Sequence, residues 1–437
     1  MVYSHITELI GNTPLLRLDP AVHGLDGVEL YAKLESHNPF GSVKDRVAWA
    51  MIRDDLDRVA AGGQSFIEAS SGNTAKALRV LGALHGVPLR AVTNRIRVAE
   101  VRQLLQLLGT EIVELPGLSE CPDPHAADDV SAVIEHTIGQ APHQWFHPSQ
   151  YTNERNVTAH HEGTGTEIAA DLADAGITHL DYLIGGLGTT GSTRGTATAL
   201  LANHPALRTI GVVSDRFDFI PGIRSEREMW EVGLFRPDFY DEIVTVDSAA
   251  AITATLDLVR GYGVLAGPTS GAGYAAALRT LAAAPRPADR PVVAVLIVCD
   301  RLEPYLSYFA KRRPDLFGTP TAPPAPGPDD TAPTLTPDAL AELDRTGRPT
   351  IVDTRGAMAY RVGHVPGALN IRDDQLDDML TQGVPFPRSR PVVFVCPIGE
   401  TSLRFAALAH RAGYQAYSLA GGIIAWRDAG HPLERGG

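Results

Sequence analysis

The sequence predicts an α/β protein built as two successive blocks, each a largely parallel sheet covered by helices. Three observations carry this expectation. The chain has 437 residues, more than one ordinary hydrophobic core can organise, so two or three domains are expected. Short β-branched runs alternate with Ala/Leu-rich amphipathic stretches along most of the chain. Continuous apolar strands alternating with helices indicate parallel strands buried on both faces. Finally, segment 314–336 (PDLFGTPTAPPAPGPDDTAPTLT) is dense in Pro, Ala, Thr and Gly and nearly free of large apolar groups. Such a segment buries too little surface to order itself and reads as an extended linker. The expected organisation is therefore a first domain over 1–313, a linker over 314–336 and a second domain over 337–437.

The strand candidates are VELYAKL (28–34), SFIEA (65–69), YLIGG (182–186), PVVAVLIV (291–298) and PVVFV (391–395). The helix candidates are VAWAMIRDDLDRVAA (47–61), TAKALRVLGALHG (74–86), VRQLLQLLG (101–109) and GYAAALRTLAAA (273–284). The second block opens with Thr336, Pro337 and Asp338, an N-cap followed by proline at the first helical position.

Composition narrows the function classes. Apolar residues at 44% and charged residues at 20% are ordinary for a globular protein. No apolar run approaches the ~18 residues of a membrane span. The N-terminal MVYSHITELIGNTP has neither a basic region nor an apolar one, so no signal peptide is read and a cytoplasmic protein is expected. A net charge of −13 disfavours nucleic acid and anionic membrane as partners. The three cysteines, Cys121, Cys299 and Cys396, are too few and scattered for a disulfide framework. The lysines are only four, Lys33, Lys44, Lys76 and Lys311, so a lysine in a special setting stands out.

Three polar loops in the first block carry candidate chemistry. In Asn38-Pro39-Phe40-Gly41-Ser42-Val43-Lys44-Asp45-Arg46, Lys44 falls in the first turn of a helix. The positive end of the helix dipole favours its neutral amine, the form that Schiff-base chemistry needs. Taken alone, the pattern also fits a surface lysine. Glu68-Ala69-Ser70-Ser71-Gly72-Asn73-Thr74 ends a strand and starts a helix, an arrangement that serves either as a helix cap or as a carboxylate site. Gly185-Gly186-Leu187-Gly188-Thr189-Thr190-Gly191-Ser192 lies between strand and helix and suits a phosphate, though it lacks the Gly-Lys-Ser/Thr ending of a nucleotide loop.

Together with GNTPLLRL (11–18) and Gly267-Pro268-Thr269-Ser270-Gly271-Ala272, these loops resemble, in order and spacing, the fold-type II pyridoxal-phosphate (PLP) enzymes of the cysteine synthase and cystathionine β-synthase family. The resemblance covers about residues 5–312 and implies two parallel-sheet α/β subdomains, PLP as cofactor and a homodimer. It implies that Lys44 holds PLP, that Asn73 meets its 3′-oxygen, and that Gly188, Thr189, Thr190, Gly191 and Ser192 hold its phosphate. Ser70, Ser71, Thr74 and Gln150 would bind the substrate carboxylate. Two departures stand out. The family's TSGNTG has Ser70 for Thr and Ala75 for the last Gly. The residue facing the ring nitrogen, usually Ser four positions before Tyr305, aligns with Arg301, with Asp300 one position earlier, so Asp300 and Arg301 both remain open there.

In the second block, Asp353-Thr354-Arg355, Gly363-His364-Val365-Pro366-Gly367-Ala368, Cys396-Pro397-Ile398-Gly399-Glu400-Thr401-Ser402 and Gly421-Gly422-Ile423-Ile424-Ala425-Trp426 follow one another. A cysteine at a strand end opening into a helix has backbone N–H groups around its sulfur, which favours a thiolate. The four motifs resemble the rhodanese family. By that resemblance Cys396 carries a persulfide, and Asp353 and Arg355 support the fold. Thr401 stands where many members have Arg, and Ala359 where Glu is usual. The remaining candidates are plainer: His160-His161-Glu162 reads as structural because no third ligand is evident, and Cys121 reads as a loop cysteine.

The resemblances imply β-replacement on an activated serine, O-phosphoserine or O-acetylserine, through an enzyme-bound aminoacrylate. The product would be cysteine or a related amino acid. The rhodanese part would supply sulfane sulfur, and the protein's sulfur donor would be sulfide, thiosulfate, a persulfide or a sulfur-carrier protein. Cysteine β-elimination or cystathionine synthesis is one alternative, and a sulfur-relay protein with a degenerate PLP site is another. The segment Ile220-Pro221-Gly222-Ile223-Arg224-Ser225 resembles that of phosphoserine-using cysteine synthases, which makes Arg224 the candidate substrate-phosphate ligand; pairing with Glu226 or Glu228 is the alternative.

Overall fold

The computed structural model describes residues 2–93, 96–115, 130–216, 218–317, 332–382 and 384–436. Cys121 and most of the expected linker lie outside the described residues. The chain divides into two compact units: Met1–Val113 with Ile134–Arg313, and Glu114–Val133 with Pro314–Gly437.

In the first unit the strands are β1 (Leu15–Leu18), β2 (Val28–Leu34), β3 (Ser65–Ala69), β4 (Leu89–Thr93), β5 (Glu111–Glu114), β6 (Trp145–Phe146), β7 (Tyr182–Gly186), β8 (Arg208–Ser214), β9 (Glu242–Val246) and β10 (Val292–Val298). They form a six-stranded sheet of order β1-β2-β10-β7-β8-β9 and a four-stranded sheet of order β5-β4-β3-β6. The larger sheet is parallel apart from β1, which runs antiparallel to β2. In the smaller one, β3 runs parallel to both β4 and β6.

The apolar runs are continuous because both sheet faces are covered. Along β10, Ala294, Leu296 and Val298 enter one core, while Val293, Val295 and Ile297 enter the other. A strand with period-two side chains and no solvent face favours apolar residues along its length. The same logic orders the second unit. Its strands are β11 (Thr334–Leu335), β12 (Thr350–Asp353), β13 (Leu369–Asn370), β14 (Val392–Val395) and β15 (Ala416–Leu419), in parallel order β11-β15-β14-β12-β13. Val392 and Phe394 face one core; Val393 and Val395 face the other.

The helices differ from expectation in two places. The stretch 47–61 is not one helix: it breaks after Ile52 and restarts at Leu56. The Asp54-Asp55 pair favours a break, since short acidic side chains lower helix propensity, and Asp55 there binds Arg58 and Arg155. The helix expected from Gly273 begins at Pro268, with proline at its first position. The start expected at residue 336 is found: Thr336 Oγ1 accepts from Ala339 N at 3.2 Å at the head of helix Pro337–Gly347. Among the described residues no helix is long and apolar enough to cross a membrane.

Candidate active site

Lys44 is the first residue of helix Lys44–Ile52. Gly41 adopts φ +84° to make the approach, a conformation that strains side-chain-bearing residues. Asp45 ties the loop down: its Oδ2 accepts from Phe40 N at 2.6 Å and its Oδ1 from Ser42 Oγ at 3.0 Å. Val43 N donates to Cys299 O at 2.8 Å, which pins the loop to the residue after β10. Lys44 is half-buried. Burial lowers its pKa, against opposing pulls from Cys299, Asp300 and Glu35, so its neutral form is favoured. Burial also pushes Asp45 up to about 7 and the Cys299 thiol up to about 12.

A buried ion network holds this helix. Arg46 donates to Glu35 Oε2 at 2.7 Å and to Glu167 Oε1 at 2.6 Å. Lys33 lies 3.0 Å from Glu167 and donates to Thr13 O at 2.6 Å. Asn12 N donates to Glu167 and Gly11 N to Asn38 Oδ1, both at 2.9 Å. The GNTP stretch therefore closes over the network rather than reaching toward a ligand.

The second loop crosses from β3 to helix Asn73–Leu84. Ser70 Oγ accepts from Ala75 N at 3.1 Å, so it caps the helix and keeps its own proton to donate. Ser71 is exposed. Thr74 Oγ1 donates to Gln150 Oε1 at 2.7 Å, and Gln150 Nε2 donates to Ala69 O at 2.6 Å.

The third loop joins β7 to helix Gly191–Leu201. Thr190, the residue before the helix, sits at φ +68°. A Cβ on Gly188 would fall 2.7 Å from Gly222 O, and one on Gly191 would fall 2.0 Å from Asn156 Oδ1. Thr189, Thr190 and Ser192 are buried. Thr190 Oγ1 makes no hydrogen bond, and the neighbouring Tyr240 hydroxyl is bonded instead to Thr193 Oγ1 at 2.7 Å.

One residue that the sequence did not single out links the last two loops. Asn156, fully buried, donates from Nδ2 to Gln150 O at 2.8 Å and to Thr189 Oγ1 at 3.0 Å. The only sequence signal is its place six positions after Gln150. Thr74, Gln150, Asn156 and Thr189 thus form one chain of hydrogen bonds from the asparagine loop to the glycine loop.

Asp300 and Arg301 separate. Asp300 is buried and accepts at Oδ2 from Asn73 Nδ2 at 2.6 Å and from the Tyr305 hydroxyl. Arg301 turns to the surface, where Glu303 holds its guanidinium. Arg224 is placed by its backbone, N to Leu187 O at 2.9 Å and O from Ser214 N at 3.0 Å. Its guanidinium lies 4.9 Å from the centre of the Tyr151 ring, beside Gln150. Glu228 is engaged by Ser225 in a capping box. His160 opens a π-helical turn over His160–Gly165, with Nδ1 2.8 Å from Thr164 Oγ1.

In the second unit Cys396 follows β14 and is fully buried. Its Sγ accepts from Gly399 N at 3.1 Å and from Ser402 Oγ at 3.3 Å. Ser402 in turn lies 2.8 Å from Ser418 Oγ. The sequence did not suggest that Ser402 and Ser418 serve the sulfur. Gly422 packs on this loop so closely that a Cβ would fall 2.2 Å from Cys396 O. Asp353 and Arg355 form a buried ion pair, and Arg355 Nη2 also donates to Gly363 O at 2.7 Å, joining two of the motifs.

These features fit PLP: a half-buried lysine with a lowered pKa, an asparagine at a helix start, and a glycine loop with an unbonded buried hydroxyl. Residues 6–300 match the family described as pyridoxal-phosphate dependent enzyme, and the chain belongs to that family. Within it the chain is cysteine synthase-like, and residues 336–429 match the rhodanese-like domain. Cysteine synthase B of Salmonella typhimurium is 32% identical over 304 residues, covering 69% of this chain and 94% of its own length. The crystal structure of O-ureido-L-serine synthase matches with a TM-score of 0.60 at 28% identity, over 76% of this chain and 98% of its own. The O-acetylserine dependent cystathionine beta-synthase of Helicobacter pylori matches with a TM-score of 0.58 at 26% identity, over 70% of this chain and 98% of its own.

Proposed function

We propose that the first unit replaces the β-substituent of an activated serine with sulfur, forming cysteine or a close relative, and that the rhodanese-like domain delivers the sulfur. The observation that carries the reading is the chain Thr74–Gln150–Asn156–Thr189. It ties the loop proposed for the carboxylate to the loop proposed for the cofactor's phosphate, which supports a site where the two ligands are bound side by side.

Lys44, Asn73 and the loop Gly188–Ser192 would hold pyridoxal phosphate. When bound, it supplies an electron sink for the substrate α-carbon. Lys44 Nζ, favoured as the neutral amine, takes the α-proton. Ser70, Ser71 and the second amide N–H of Gln150, with the Thr74 backbone N–H, bind the α-carboxylate, and the Thr74 hydroxyl orients Gln150. Arg224 faces the leaving group, and its guanidinium binds a phosphate dianion through paired charge-assisted hydrogen bonds far better than a neutral acetyl ester. This favours O-phosphoserine.

In the second unit the Gly399 N–H and the Ser402 hydroxyl stabilise the Cys396 thiolate. It attacks the outer sulfur of a sulfane donor; the S–S bond breaks with its electron pair on the departing group, and the sulfur stays as a Cys396 persulfide. Release as sulfide takes a thiol reductant, which leaves as disulfide. The test is amino-acid analysis of products from O-phosphoserine and O-acetylserine with sulfide or thiosulfate. Formation of cysteine supports the reading; release of sulfide and pyruvate from added cysteine, with no β-replacement, overturns it.

A further inference from the structure

Asn73 and Asp300 lie 227 positions apart in sequence and meet in the wall of the site. Asp300 Oδ2 takes both the Asn73 amide N–H, at 2.6 Å, and the Tyr305 hydroxyl. The other oxygen, Oδ1, is buried and unbonded. It is closed in against Gly267, where a Cβ would fall 2.1 Å from it. The missing side chain of Gly267 is what gives this oxygen its room. An asparagine amide left alone can present either its N–H or its C=O end, but Oδ2 only accepts here and so holds Nδ2 toward itself. A protonated Asp300 would carry its hydrogen on Oδ1 and still accept at Oδ2.

The groups around Asp300 suit this task. Burial raises its pKa, while Tyr305, Lys76, Asn73 and Lys44 pull it back down. Lys76 lies one helical turn after Asn73 on the same helix face. Burial lowers its pKa, against opposing pulls from Asp45 and Asp300.

We infer that Asp300 is a positioning residue: together with the Tyr305 hydroxyl, which Asn73 Nδ2 approaches at 3.4 Å, it fixes which end of the Asn73 amide serves the ligand oxygen, and it acts on the ligand through Asn73. The inference rests on the PLP reading and deepens it, since Asp300 then serves the cofactor's oxygen side and not its ring nitrogen.

The test is a double-mutant cycle in cofactor affinity. Apo forms of the full-length wild type, Asn73→Ala, Asp300→Ala, Asp300→Asn and Asn73→Ala/Asp300→Ala are titrated with pyridoxal phosphate by equilibrium dialysis, with circular dichroism to check folding. Asp300→Ala is expected to weaken binding about tenfold, the effect of one lost hydrogen bond to a charged group. Asp300→Asn keeps most of the affinity, because its amide oxygen accepts the same two bonds. The double variant binds no worse than Asn73→Ala alone. Asp300→Ser is run beside Asp300→Ala as a milder truncation and gives the same cycle. Additive losses, wild-type affinity in Asp300→Ala, or equal damage from Asp300→Asn and Asp300→Ala would each overturn the inference. A wild type that binds no pyridoxal phosphate would instead sink the proposed function.

Discussion

Replacing Arg224 by Ala tests the choice of leaving group. Its guanidinium is held over Tyr151 at 4.9 Å, and its backbone is tied to Leu187 in the glycine loop. A group already fixed by its neighbours loses little freedom when it binds a phosphate. A hydrogen bond to a charged group is worth about 1.5–3 kcal/mol. At about 1.4 kcal/mol per tenfold, its loss lowers kcat/KM for O-phosphoserine by about 10- to 150-fold. O-Acetylserine carries no charge there, so its kcat/KM should fall less than threefold or so, under ~0.7 kcal/mol. The assay measures both substrates against sulfide in wild type and variant. Equal wild-type rates with both substrates, or a variant that loses both alike, would refute the assignment and leave Arg224 a surface side chain.

Other outcomes follow from the same geometry. Asn156→Ala strands two buried acceptors, Gln150 O and Thr189 Oγ1, and is expected to cost about 2–6 kcal/mol in urea unfolding of the first unit; a change under about 0.5 kcal/mol would remove Asn156 from the account. Glu167 is held down at about 2, with its hydrogen bond and attraction to Arg46 outweighing burial. Its stabilisation is thus full above the unfolded carboxylate pKa of about 4.3 and is lost as pH falls toward 2, up to about 3 kcal/mol. Glu167→Gln should flatten that acid limb in thermal unfolding, and an unchanged limb would contradict it. Cys396→Ser should leave turnover with free sulfide intact and remove sulfur transfer from thiosulfate; collapse of both would make the two units functionally interdependent.

The strands were the most legible feature. VELYAKL, SFIEA and YLIGG are strands at the bounds read from sequence, because a run buried on both faces is mostly apolar, with Lys33 and Glu68 as buried polar exceptions. The glycine loop and the Lys44 helix start were legible for a related reason: glycines and small hydroxyl residues between strand and helix have few other uses. Asp300 and Arg301 were not separable, because neighbours at a strand end face opposite ways and a one-residue register decides which is buried. Asn156 and Ser418 were missed since their partners Thr189 and Ser402 lie 33 and 16 positions away, which no local pattern records; Ser402 lies within the Cys396 motif, but its hydroxyl's turn toward the sulfur six positions back is not written in the sequence. Ser70 shows the converse: its motif was read as either a helix cap or a carboxylate site, and its hydroxyl does cap the helix it precedes.

The central claim is that Lys44 carries the cofactor. It is tested most directly by loading the full-length protein with pyridoxal phosphate, reducing with borohydride, digesting and locating the added pyridoxyl group by mass spectrometry. The account predicts the group on Lys44 and its absence in Lys44→Ala. A group on Lys76, or on no lysine at all, would contradict it.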